Sequence, residues 1–133
     1  MEVWGKTLFQ SYCKGKEKYA SFDTLIETYK KAVKIWGPGQ VWCNFVGGIS
    51  PINDLKEGFR FMADLGVVPG ANIFHLDPKA IGVKLGLTEP SEEYVFEMYK
   101  CLSSIYQEYN YKPFFSESVL RNSLSNEMYH GWI

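Results

Sequence analysis

The sequence predicts an α/β fold, in which parallel βα units form a half (β/α) barrel of three to four strands with helices on the outer face. Three observations carry that expectation. Apolar residues recur at helical spacing in three separate stretches, and short β-branched or aromatic runs lie between them. Glycine and proline mark the joints. Alternation of this kind argues for parallel strands joined by right-handed crossovers. A closed barrel of eight units needs roughly 200 residues or more. This chain has 133, room for about half of one. An open, doubly wound sheet is the competing architecture.

Residues 1–4 are the first candidate strand, 7–12 a helical turn and 13–18 a polar loop. The first long helix starts at Ser21, whose hydroxyl can cap it, and Phe22, Leu25, Ile26, Tyr29, Val33 and Trp36 share its apolar face. Gly37-Pro38-Gly39 stops it. Residues 40–46 have the composition of a buried strand. Gly47 and Gly48 follow, then Ser50 as a helix cap and Pro51 as the first helical position. The second helix, 51–65, buries Ile52, Leu55, Phe59, Met62 and Leu65 and ends at Gly66. The next strand falls within 67–76, from Ala71 onward. A loop over 77–88 leads to the third helix, begun by Pro90 or Ser91 and reaching Tyr109. In the tail, 112–115 suggest a strand and 118–128 a helix. The chain reads as one domain over 1–133, with a βα half-barrel at 1–109 and a C-terminal tail at 110–133.

Composition narrows the function. A net charge of -1 with scattered basic residues gives no nucleic-acid footprint. The group Lys14-Gly15-Lys16-Glu17-Lys18 reads as a solvated loop in preference to an anion site. Cys13, Cys43 and Cys101 are odd in number and far apart, so no disulfide framework and no Cys-x-x-Cys metal motif is expected. The N-terminus lacks the apolar core of a signal peptide, and no apolar run could span a bilayer. A cytoplasmic protein binding a small molecule, with no nucleic acid and no membrane partner, is the expectation.

Candidate site residues lie at strand ends. Without Cβ atoms, Gly47 and Gly48 could let backbone N–H groups approach a carboxylate or phosphate, aided by the partial positive charge of the following helix. A tight turn with no ligand explains the same pair. Asn44 and Asn72, set in apolar strands, face either a pocket or a structural hydrogen bond. His75 could act as a base or substrate contact, or simply face a loop. His130 receives no role.

The segments Met1-Glu2-Val3-Trp4, Asn44-Phe45-Val46-Gly47-Gly48-Ile49 and 66–75 together resemble the second half of a radical S-adenosylmethionine barrel, nearest to the branch containing biotin synthase. The resemblance covers roughly 1–80, more loosely to 109. It implies that Glu2 contacts the cofactor ribose, that Gly47 and Gly48 form the turn after the fifth strand, and that Asn72 and Ile73 lie near the adenine. It implies S-adenosylmethionine as cofactor. The family's three clustered cysteines, which hold a [4Fe–4S] cluster, have no counterpart here, so the cluster would come from a missing half or a partner chain.

Three functions follow. The chain could supply the cofactor contacts of such an enzyme, as a fragment or as one part of a split enzyme. It could be a stand-alone half-barrel without chemistry. It could be an open sheet binding a phosphorylated or carboxylate metabolite. A half-barrel leaves strand edges unpaired and its inner sheet face bare, with Trp4, Val41, Cys43, Phe45 and Phe74 as candidates for exposure. A homo-oligomer, most simply a dimer, or a partner chain completing the barrel would remedy both.

Overall fold

The computed structural model describes residues 1–79 and 81–112. The expected helix over 118–128, His130 and nearly all of the expected strand over 112–115 lie outside the described residues. The elements run α1 (Lys6–Tyr12), α2 (Lys14–Glu17), α3 (Phe22–Trp36), β1 (Val41–Gly47), α4 (Ile52–Asp64), β2 (Val67–Ile73), α5 (Ile81–Lys84) and α6 (Glu92–Tyr109). The protein is mixed α/β. Among the described residues the sheet has two parallel strands, where three to four were expected, and Val41 pairs with Val67 through to Gly47 with Ile73. The two parallel strands are connected through α4.

A third segment runs beside β1 without completing a ladder. The Met1 amino group donates to the Asn44 carbonyl at 3.1 Å, and Val46 N–H donates to the Glu2 carbonyl at 2.8 Å. Phe74 N–H donates to the Gly47 carbonyl at 2.8 Å. Backbone groups of successive strand residues point to opposite edges. The segment 1–3 and β2 therefore flank β1 on its two sides. The outer edge of β2 is blunted at Pro69, which has no N–H and whose carbonyl accepts the Tyr106 hydroxyl at 2.7 Å.

Helix boundaries follow local chemistry. Ser21 caps α3 and Ser91 caps α6, each accepting a backbone N–H three residues on at 3.2 Å. Gly37 and Gly66 take φ of +92° and +91° just past α3 and α4, as a left-handed stop requires. Three local expectations are corrected. Residues 14–17 are a short helix, where a loop was expected. β2 starts at Val67, four residues before Ala71, because its first residues are wanted by the core. Ser50 does not cap α4: Pro51 holds the cap position and offers no side chain. Ser50 is instead buried, its carbonyl accepting the Tyr94 hydroxyl at 2.8 Å.

The helices cover one face of the sheet. Phe45 meets Phe59 of α4 edge-on at 5.3 Å, and Trp4 sits between Phe22 and Phe61 at 5.3 and 4.9 Å. Trp4 also dictates a glycine inside α4, since a Cβ on Gly58 would lie 2.8 Å from its ring. A helical glycine is unfavourable by about 1 kcal/mol relative to alanine, and close helix–Trp4 packing is what requires it here. α6 packs on α4 and β2, while α3 packs on β1 and α1. Among the described residues no helix is long and apolar enough to cross a membrane.

Candidate functional site

Alternation along β1 sets the site. Val41, Cys43, Phe45 and Gly47 are buried, Trp42 and Asn44 are exposed, and Val46 is half-buried. The buried set faces the helices. The other set therefore lies on the opposite face of the sheet. Register extends that face into β2. Asn44 pairs with Gly70 and Val46 with Asn72, and paired residues share a face. Asn72 is exposed and Gly70 half-buried, while Val68, beside Trp42, is buried. The two asparagines thus stand one diagonal step apart on one face, Asn44 in the middle of β1 and Asn72 next to the carboxyl end of β2, the end of parallel strands where α/β proteins hold ligands. Two carboxamides offer paired donors and acceptors, and Trp42 adds an aromatic surface.

This corrects the expected phase of the strand. Trp4, Val41, Cys43 and Phe45, expected on a bare inner face, are buried among the helices. Trp42 takes that role and was missed. Asn44 carried the missing signal, because the one polar residue in an apolar strand marks its solvent side.

Gly47 and Gly48 belong to a packed turn. A Cβ on Gly47 would lie 2.2 Å from the Met98 sulfur, and one on Gly48 2.9 Å from the Pro90 ring. Gly48 also has φ of +111°, a conformation open to glycine. Close packing by the start of α6 accounts for both residues, and Tyr94 ties the same turn down through Ser50.

Glu2 lies at the far edge of β1 with its carboxylate engaged. Lys16 donates to one oxygen, and the Cys13 thiol donates to the other at 3.8 Å. Burial pushes the Glu2 carboxyl up, but the bonded Lys16 ammonium outweighs it and holds the group below the ordinary range. Burial, reinforced by Glu2, pushes the Cys13 thiol up to about 11. Burial also raises Cys43 and the Tyr29 hydroxyl it contacts. These thiols are protonated at neutral pH and are poor nucleophiles.

Ile73 pairs with Gly47, so it lies on the opposite face from Asn44 and Asn72, although the strand end leaves it exposed. His75 is exposed two residues past β2. The loop beyond it is anchored where Leu76 N–H donates to the Glu89 carboxylate at 2.9 Å. The structure therefore brings Asn44 and Asn72 together and leaves Glu2, the glycine turn, Ile73 and His75 around them at the strand ends. Among the described residues, no group of three His, Cys, Asp or Glu side chains is placed to hold a metal ion. Comparison with protein-family models, with curated proteins and with solved structures gives no match to this chain.

Proposed function

We propose that the chain is a βα half-barrel module that contributes adenosyl contacts to a radical S-adenosylmethionine-like enzyme, the iron–sulfur half being supplied from elsewhere. One observation carries the reading. Asn44 and Asn72 stand one diagonal step apart, with Trp42 two residues before Asn44, on the sheet face opposite the buried Cys43 and Phe45, the side that would line a barrel lumen. That set suits an adenine, which offers donors and acceptors on its edge and a flat face for stacking. Ribose binding by Glu2 would compete with its Lys16 ion pair, so the asparagines carry more of the contact than the resemblance implies. A [4Fe–4S] cluster does not fit Cys13 and Cys43, which are buried with raised thiol pKa values, and no step is assigned to them.

Calorimetric titration with S-adenosylmethionine tests the reading. Without the cluster iron to hold the methionine end, binding is expected to be weak, on the order of millimolar. Asn72→Ala and Asn44→Ala should each weaken it by about fivefold or more, the loss of one or two hydrogen bonds. Adenosine should compete, and inorganic phosphate should not. Absence of binding at that range, or affinity unmoved in both variants, would overturn the reading.

A further inference from the structure

The helix layer ends on two flanks of opposite chemistry. α6 bounds one side, resting on α4 and β2, and α3 bounds the other, resting on β1 and α1. Along the first turns of α6 lies a cleft of about 730 Å³, lined by apolar Pro90, Val95, Phe96 and Tyr99 and by Glu92, Glu93 and Glu97. Its volume falls within the range of real binding clefts, and Phe96 is 57% exposed. On the other flank, the last turn of α3 exposes Ile35 by 72% and Trp36 by 65%, beside the exposed Lys31 and Lys34. A solvated helix end needs only the lysines. Two large apolar side chains among them mark a surface that expects cover.

The chain's own helix seam shows what cover suits such surfaces. Between α4 and α6, Lys56 reaches Glu97 at 2.6 Å, Arg60 bonds Glu108, and the Arg60 guanidinium lies 5.7 Å from the centre of the Tyr109 ring. Basic groups of one helix meet acidic groups of the next over an apolar floor. The two outer flanks carry the two halves of that same seam. α3 rests on β1 and α1 while α6 rests on α4 and β2, and both patches are exposed, so neither covers the other and each can meet its complement on another copy.

We infer that a second copy of this chain seats Ile35 and Trp36 of its α3 in the α6 cleft, with Lys31 and Lys34 facing Glu92 and Glu93. The contact is heterologous, each copy offering its α3 end to one neighbour and its α6 cleft to another, so copies add head to tail. Stable interfaces bury about 1,200 Å² or more; a contact built on two apolar side chains and two ion pairs is concentration-dependent and weakens with salt. The inference rests on the helix flanks and not on the adenosyl reading, and either can fail without the other.

Sedimentation equilibrium on the full 133-residue chain tests it, from about 1 to 200 μM, a range that brackets a micromolar dissociation constant. The expected result is a reversible rise in mass above the monomer, to dimer and larger species, as concentration increases. Ile35→Glu and Phe96→Glu should each raise the dissociation constant at least about tenfold. Both residues are exposed, so the melting temperature should hold. Glu93→Lys should weaken assembly, and adding Lys34→Glu to the same chain should restore it, which no folding defect would do. A wild-type chain monomeric throughout the range, or assembly unchanged in both Ile35→Glu and Phe96→Glu, would overturn the inference.

Discussion

Val41, Cys43 and Phe45 are buried on one face of β1, while Trp42 and Asn44, the residues between them, are exposed on the other. Successive side chains of one strand thus obey different demands. The first face is filled by its own helices, down to the 2.2 Å that separates a Cβ on Gly47 from the Met98 sulfur. The second carries an indole and two carboxamides that the helix layer does not require. The exposed indole and carboxamides of that face, and not the packed glycine turn, make it the candidate site.

The sharpest way to break this contrast is to truncate matched residues on the two faces. Phe45→Ala should destabilise the protein by about 3–5 kcal/mol, since it removes a fully buried ring and its edge contact with Phe59. Trp42→Ala should cost clearly less than Phe45→Ala, since Trp42 is 43% exposed where Phe45 is fully buried. Urea unfolding midpoints measure both, and similar losses would end the distinction. A smaller effect is expected at the turn. Gly47→Ala must displace Met98 and should cost about 1–3 kcal/mol, whereas a glycine kept open for a ligand would accept a methyl group with little loss.

The smallest effect concerns the edge at Glu2. Its carboxyl is lowered in the folded state. The stabilisation is therefore present above the unfolded value of 4.5 and is lost as pH falls below it, through the lower folded value. Glu2→Gln should flatten the acid limb of a stability–pH profile and leave the profile near pH 7 parallel to wild type. An unchanged acid limb would mean that the Lys16 pair has no energetic role.

Helices were the legible part of the fold. Ser21 and Ser91 cap as side-chain chemistry demands, and Gly37 and Gly66 stop α3 and α4 by adopting positive φ. Strands were less legible. β2 begins at Val67 although Pro69 argues against an interior strand, because Pro69 sits where its missing N–H faces the blunted edge. Ser50 looked like a cap and is a buried anchor for Tyr94, a contact across 44 residues that no local pattern reveals. Of the candidate site, Asn44 and Asn72 were visible as polar residues in apolar strands. That they share a face required the register. That Glu2 is held by Lys16 required α2, which a run of lysines and glycine disguised as a loop.

The most direct test of the central claim is a map of backbone amide shifts on adding S-adenosylhomocysteine, which carries the adenosyl group without a chemically reactive sulfonium. Perturbations should gather on Trp42, Asn44, Val46 and Asn72, with Cys43 and Phe45 moving less than the residues on either side of them. Shifts centred on Gly47 and the start of α6, or none at saturating ligand, would contradict it.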